Sequence, residues 1–134
     1  MSKNQSRRKF IRNSAAATAA LSIPTYVPGK VFGANDRINA AVLGLNKRGK
    51  NHIKSLMEVE NVQVTTLCDP DMNLLKERQK TFRETYDGDV NLEQDLRRIM
   101  DNKDIDVVSI ATPNHWHALA VIWGCQAGNY SYVE

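Results

Sequence analysis

Apolar residues alternate between two patterns along the chain from residue 38 onward. Short, mostly apolar runs at 38–43, 62–68 and 106–111 have the length and composition of buried parallel strands. The segments between them repeat apolar residues every third or fourth position, which is typical of amphipathic helices. This alternation predicts an α/β fold built on a doubly wound parallel sheet.

Four helices are predicted between and after these strands. The apolar faces of the first three are Ile53, Leu56 and Met57; Leu75, Phe82 and Tyr86, in a helix beginning at 70–71; and Leu92, Leu96, Ile99 and Met100. Asn91, with Gln94 three residues later, resembles a capping box and predicts the start of the third helix. The fourth helix, at 118–127, is apolar nearly all round and ends at Gly128, before a last strand at 130–133.

A glycine-containing turn joins the first strand to the first helix. Residues 44–49 read Gly, Leu, Asn, Lys, Arg and Gly, and the second strand ends on Asp69. Such a turn lets the backbone approach a pyrophosphate at a helix N-terminus, and such an acid can accept hydrogen bonds from ribose hydroxyls. Asn46 stands at the usual middle glycine. Asparagine tolerates a left-handed backbone better than most residues, so the turn can form, although the side chain crowds the point where a phosphate would come closest. A βαβ unit with no ligand is the alternative.

Polar or glycine residues follow four of the predicted strands. Gly44, Asp69, Thr112 and Glu134 each lie at a predicted carboxyl end. Parallel strands share that edge of their sheet, and ligands bind there at the point where the strand order reverses. The four segments therefore predict one binding site at the carboxyl edge.

The histidines and cysteines do not predict a metal site or a redox pair. His115 and His117 could ligate zinc, but no third ligand is evident, so we favour a position beside a cofactor pocket and expect no metal. His52 is assigned a structural role. Cys68 and Cys125 form no paired-cysteine motif and are interpreted as two separate buried thiols, with oxidation after export as the alternative.

The first 34 residues differ in composition from the rest of the chain. They hold six of the 18 basic residues and none of the 15 acidic ones, so the remainder carries 12 basic and 15 acidic residues, a net charge of −3, and no nucleic-acid partner is expected. Arg7 and Arg8 lie in a twin-arginine core that precedes an apolar stretch at 15–23 and Pro24. These features predict a twin-arginine signal peptide and linker at 1–34, with a basic disordered tail as the alternative.

Four segments together resemble a known family. They are residues 37–49, 68–70, 111–117 and 132–134. The family is that of glucose–fructose oxidoreductase, inositol dehydrogenase and the rhizopine-catabolism protein (Gfo/Idh/MocA), and the resemblance covers roughly 36–134. It implies an incomplete dinucleotide-binding Rossmann domain at 35–134. It also implies a second α/β domain, which this sequence does not contain.

The resemblance assigns cofactor contacts to twelve positions. They are Gly44, Leu45, Asn46, Lys47, Arg48, Gly49, Asp69, Thr112, Pro113, Asn114, His117 and Glu134. The turn would line the pyrophosphate, Asp69 would hold the adenosine ribose, and residues 112–114 with His117 would border the nicotinamide. Glu134 matches the glutamate of a Glu-Lys-Pro motif whose lysine would come next, so no catalytic residue is assigned in this chain.

NAD is the expected cofactor, with NADP disfavoured. Asp69 would repel a 2′-phosphate, and neither Pro70 nor Asp71 supplies a cation to offset that repulsion.

The function implied by the resemblance is the nucleotide-binding N-terminal half of an NAD(P)-dependent oxidoreductase acting on a sugar or polyol. The twin-arginine machinery would export it to the periplasm, and the full-length form could be a homo-oligomer. An NAD-dependent glycosidase of the same family and a non-catalytic nucleotide-binding fragment are the alternatives.

Overall fold

The computed structural model describes residues 37–134, so the signal peptide expected at 1–34 lies outside the described residues. The described residues form five strands and four helices. In chain order they are β1 (Ile38–Leu43), α1 (Lys47–Met57), β2 (Val62–Cys68), α2 (Met72–Tyr86), β3 (Asn91–Glu93), α3 (Leu96–Asp101), β4 (Val107–Ile110), α4 (Asn114–Ala127) and β5 (Tyr130–Val133). Within 37–134 no helix has the length and apolar character needed to span a membrane.

The five strands form one parallel sheet in the order β3-β2-β1-β4-β5. β1 lies at the centre, where Val42 pairs with Leu67 of β2 on one side and with Ser109 of β4 on the other. The chain adds strands outward from β1 in one direction and then returns to add β4 and β5 in the other. This order confirms the predicted doubly wound α/β fold, and it places the reversal of strand order between β1 and β4.

The core lies on both faces of the sheet because successive strand residues point to opposite sides. One face packs β1 and β2 against α1 and α2, through Val42, Val64, Leu67, Ile53, Leu75 and Phe82. The other face packs β1 and β4 against α3 and α4, through Ala41, Leu43, Val108, Ile110, Ile99, Met100 and Ala120. Burial on both faces explains why β1 reads as a nearly continuous apolar run in the sequence.

The predicted third helix starts later than expected. Residues 91–93 form β3, which pairs with β2, and α3 begins only at Leu96. The capping box expected at Asn91 and Gln94 is therefore wrong. The Gln94 side chain instead donates a hydrogen bond to the Pro70 carbonyl oxygen at 2.8 Å, and Asp95 caps the helix. Pairing with β2 satisfies the backbone of this segment, which outweighs its helical spacing of apolar residues.

The last predicted helix begins earlier than expected. α4 begins at Asn114, immediately after Pro113, and not at residue 118. Its uniform apolar character leaves some apolar residues in solvent, including Leu119 and Ile122. Cys125 is also exposed, so the expectation of two buried thiols is wrong for this residue.

Cys68 is the buried thiol of the pair. It lies at the end of β2, where burial, helped by the nearby carboxylates of Glu93, Asp69 and Asp95, raises its pKa to about 12. A thiol with so high a pKa stays protonated at neutral pH and is a poor nucleophile.

Candidate functional site

The turn after β1 depends on two glycines that allow three backbone segments to meet. Gly44 has a φ of +82°, and a Cβ there would lie 2.6 Å from the carbonyl oxygen of Ala111 at the end of β4. A Cβ on Gly49 would collide with the carbonyl oxygen of Gly44. The turn therefore holds the ends of β1 and β4 and the start of α1 closer together than side chains would permit.

Asn46 does not adopt the left-handed backbone that asparagine tolerates. Its φ of −68° and ψ of −163° are extended, because Gly44 already supplies the left-handed residue of this turn. Asn46 is instead the N-cap residue of α1, although its side chain accepts no capping hydrogen bond. The first N–H groups of α1 thus remain open to another acceptor.

The helices differ in how their N-termini are capped. Asp71 accepts hydrogen bonds from the first turn of α2, and Asp95 accepts one from the first turn of α3. By contrast, neither Asn46 before α1 nor Pro113 before α4 makes a side-chain cap. The two uncapped helices are those that follow β1 and β4, beside the reversal of strand order.

The Asp69 side chain, at the end of β2, links this strand end to the glycine turn by hydrogen bonds. Its side chain is buried, with 8% of the residue exposed. One carboxylate oxygen accepts the Leu45 N–H at 2.9 Å, and the other accepts the Asp71 N–H at 3.0 Å. Each carboxylate oxygen has more than one lone pair, so both can accept a further hydrogen bond from a ligand hydroxyl.

A cleft of about 710 Å³ lies at the carboxyl edge of the sheet. It is lined by Gly44, Leu45, Asn46, Asp69, Pro70, Gln94, Asp95, Leu96, Arg97, Ala111, Thr112, Pro113, Trp116 and Trp123. The structure therefore brings together the glycine turn, the acid after β2 and the segment after β4, as the sequence predicts. Its volume is in the range of small-molecule and cofactor sites.

The wall of the cleft contains one buried polar atom, the Thr112 hydroxyl oxygen, for which the described part of the chain provides no partner. The backbone carbonyl of the same residue is engaged by the His117 ring nitrogen Nε2 at 2.6 Å. A buried hydroxyl without a partner costs free energy, which a ligand atom could recover.

Six of the twelve predicted site residues do not line this cleft. Two of them, Arg48 and Glu134, line a neighbouring cavity of about 360 Å³ together with Tyr132. Arg48 and Glu134 form an ion pair there, and the Tyr132 hydroxyl donates to Glu134 at 3.1 Å. Of the other predicted residues that do not line the cleft, Lys47 and Asn114 are exposed at helix starts, Gly49 is buried beneath the turn, and His117 bonds to Thr112.

His52 connects this second cavity to the sheet, in keeping with the structural role assigned to it. It is buried, with Nδ1 2.8 Å from the Ser109 hydroxyl and Nε2 3.3 Å from the Glu134 carboxylate. A carboxylate only accepts hydrogen bonds, so Nε2 carries the proton and Nδ1 accepts from Ser109. Burial lowers the pKa of His52, and the positive charge of Arg48 lowers it further, which favours the neutral ring.

Several cleft residues were missed by the sequence reasoning. Arg97 and Trp123 lie on the predicted third and fourth helices but were not connected with the site, and Trp116 was considered only as the residue between two histidines. No local motif marks these positions. They reach the cleft because α3 and α4 pack side by side on the same face of the sheet.

Comparisons with known proteins agree with this geometry. The model of a family described as "Oxidoreductase family, NAD-binding Rossmann fold" (Gfo/Idh/MocA) matches residues 38–134. A glycosyl hydrolase family 109 protein of Stenotrophomonas maltophilia is 33% identical over 129 residues, covering 91% of this chain and 28% of that protein. Another, from Shewanella pealeana, is 29% identical over 115 residues, covering 81% and 25%.

A solved structure shows the same fold. Scyllo-inositol dehydrogenase from Lactobacillus casei, crystallised with NAD(H) and scyllo-inositol, superposes with a TM-score of 0.62 at 18% identity, covering 72% of this chain and 27% of that one. This chain thus spans between a quarter and a third of the length of the relatives it matches.

Proposed function

Because this chain belongs to the Gfo/Idh/MocA oxidoreductase family and carries its NAD-binding Rossmann domain, we propose that it is the cofactor-binding half of an enzyme that oxidises or reduces a sugar or polyol. The observation that carries the proposal is the cleft between the ends of β1 and β4, with a glycine turn and a buried acid in its wall. This is the place where doubly wound sheets bind dinucleotides.

The residues of the cleft fit the parts of NAD. The open N–H groups of α1 and the bare backbone at Gly44 suit a pyrophosphate, because the helix N-terminus favours negative charge. The Asp69 carboxylate would accept hydrogen bonds from the adenosine ribose hydroxyls, and the Thr112 hydroxyl would find its partner on the nicotinamide side. When bound, the nicotinamide supplies a site that accepts or donates a hydride.

Asp69 offers the sharpest test of NAD binding at this cleft. We expect Asp69→Asn to weaken NAD binding roughly tenfold, because a charged acceptor for the ribose is lost. Calorimetric titration of the folded chain with NAD measures the effect.

Asp87→Asn is the matched control. Asp87 is an exposed acid at the opposite edge of the sheet, and its left-handed backbone, with a φ of 48°, suits Asn. Equal affinities for NAD in the wild type and in Asp69→Asn would contradict the proposed role of this carboxylate.

The substrate class is supported by the family and by the fold shared with an inositol dehydrogenase. Oxidation of an alcohol carbon removes a hydride and a hydroxyl proton, so the whole enzyme needs a base beside the substrate. Incubating the longer protein with NAD and a panel of sugars and polyols tests the activity. Accumulation of NADH with one of them would support a dehydrogenase.

A second candidate activity is glycoside hydrolysis that uses NAD without consuming it. It is favoured by the two relatives at 33% and 29% identity, which are glycosyl hydrolase family 109 proteins. The two activities leave different products. Cleavage of a glycoside without net NADH would support the hydrolase, whereas NADH formation from a free sugar would support the dehydrogenase. NAD binding with neither reaction would favour a non-catalytic nucleotide-binding module.

Export to the periplasm by the twin-arginine route is also proposed, on the basis of the leader sequence. The route carries folded proteins, which suits a protein that must bind its cofactor before export. Replacing Arg7 and Arg8 together with lysine should retain the product in the cytoplasm. Periplasmic recovery of this double variant at the wild-type level would contradict the assignment.

A further inference from the structure

Among the described residues that line the cleft, Arg97 is the only cation. It lies in the first turn of α3, and its side chain is 70% exposed. No sequence motif places a cation here, because Arg97 is 28 positions after Asp69 in the chain. The fold nevertheless puts both residues in the wall of the same cleft.

The guanidinium of Arg97 is held by Asp95 in a two-pronged ion pair. Nε donates to one carboxylate oxygen at 2.9 Å, and Nη2 donates to the other at 2.6 Å. The first of these oxygens also accepts the Arg97 backbone N–H at 3.0 Å, which caps α3. Asp95 therefore has two separable roles, one in capping a helix and one in binding a side chain.

A free arginine in this position would alter the choice between NAD and NADP. The planar guanidinium fork matches a phosphate as well as a carboxylate, so an unpaired Arg97 would be a ligand for the 2′-phosphate of NADP. With Asp95 in place, the Nε and Nη2 donors are already engaged, and the carboxylate neutralises the charge of the guanidinium. An incoming phosphate would have to approach Arg97 beside this carboxylate while facing a second, that of Asp69, in the same cleft.

We propose that Asp95 is a specificity-determining residue, which favours NAD by holding Arg97 in an ion pair and so withdrawing the cation of the cleft from the 2′-phosphate of NADP. The inference rests on the proposed cofactor site. An exposed ion pair adds little to stability, so the main effect of this one is on the charge presented to the ligand.

Asp95→Ser separates the two roles of Asp95. Serine caps helices about as well as aspartate, but it is uncharged and too short to hold the guanidinium. We expect Asp95→Ser in the full chain to raise the affinity for NADP relative to NAD roughly tenfold, because Arg97 gains a phosphate partner. Trp116 and Trp123 line the cleft, so quenching of tryptophan fluorescence can follow both titrations.

Two controls identify the cause of any shift. Asp95→Ser combined with Arg97→Ala should return the NADP-to-NAD ratio to its wild-type value, because the released cation is gone. Asp71→Ser removes a capping acid from α2, which does not line the cleft, and should leave the ratio unchanged. Asp95→Asn keeps the cap and removes only the charge, and it serves if the serine variant folds poorly.

The outcomes of the titrations are distinct. A wild-type chain that binds neither cofactor would overturn the proposed cofactor site, and this inference with it. Wild-type NAD binding with an unchanged ratio in the Asp95 variants would overturn only the inference. An equal shift of the NADP-to-NAD affinity ratio in Asp71→Ser would also overturn only the inference, because it would assign the effect to net charge. A gain in relative NADP affinity that persists when Arg97 is replaced would do so for the same reason.

Discussion

The carboxyl ends of β2 and β3 differ from those of β1 and β4 in how the following helices begin. After β2 and β3, Asp71 and Asp95 cap the next helices. After β1 and β4, no side chain within 37–134 caps the helix, and the Thr112 hydroxyl lies buried without a partner in that range. The first pair of ends satisfies its own polar groups, whereas the second pair keeps them available. Polar groups thus stay unpaired at the two strand ends where a ligand is expected to bind.

The largest expected effect comes from closing the space at the end of β1. Gly44→Ala places a Cβ against the Ala111 carbonyl in a left-handed backbone, and we expect it to lower the free energy of unfolding by about 3 kcal/mol. Urea denaturation measures the loss. Gly88→Ala, where the nearest atom would be 3.7 Å away, is the control and should change little. Similar losses in the two variants would contradict a special role for the turn.

The next largest effect comes from placing an acidic residue at the uncapped N-terminus of α1. Asn46→Asp puts a negative charge at the N-terminus of α1, where it should stabilise the chain without cofactor by about 0.5 kcal/mol. The same charge should weaken NAD binding roughly tenfold, because it repels the pyrophosphate. Paired denaturation and NAD titration measure both changes. If NAD bound this variant as tightly as the wild type, the pyrophosphate would not lie at α1.

A smaller effect tests the capped ends. Asp71→Ala removes the cap of α2, and we expect the free energy of unfolding to fall by about 1 kcal/mol while the affinity for NAD per folded molecule stays unchanged. Thermal denaturation with a parallel NAD titration measures the two quantities. Asp71→Ser should keep most of the stability because serine also caps. A change in NAD affinity in Asp71→Ala would contradict the division between the ends of β2 and β3, which satisfy their own polar groups, and the ends of β1 and β4, which keep theirs available for the ligand.

The smallest expected effect is on the pH dependence of stability, to which His52 and Asp95 contribute in different pH ranges. The folded pKa of His52 is lowered, so the unfolded chain binds more protons below about pH 6.5 and stability should fall as the pH drops from 7 to 5. The pKa of Asp95 is lowered to about 2, mainly by its hydrogen bond with Arg97, so its contribution persists until the pH falls below about 4. Urea denaturation at pH 7 and pH 5.5 should show a loss that His52→Asn reduces. An equal loss in both proteins would assign it to other groups.

The order of elements and the edge that holds the site could be predicted from the sequence. β1, β2 and β4 are buried largely on both faces, and each is therefore a short, mostly apolar run that can be recognised without tertiary information. Asp69 was recognisable because it follows β2 directly. These features depend on residues that are close together in the chain.

The features that could not be predicted depend on packing between distant elements. β3 is only three residues long, and its partner is β2, so its segment carries no strand pattern of its own. Arg97 enters the cleft only because α3 packs beside α4. The exposure of Cys125 follows from which side of α4 faces the sheet, and a helix that is apolar nearly all round does not specify that side.

The strand order also has a consequence for how the chain folds. β1 pairs with β2 after one short helical connection, but it pairs with β4 only after β2, β3 and three helices have intervened. Closing the longer loop costs more chain entropy, so we expect the β1–α1–β2 unit to form first and the contact between β1 and β4 to form later. During synthesis, the half that carries the glycine turn and Asp69 can assemble while Thr112 is still being made. The cleft is therefore complete only after the slower pairing, that of β1 with β4, has formed.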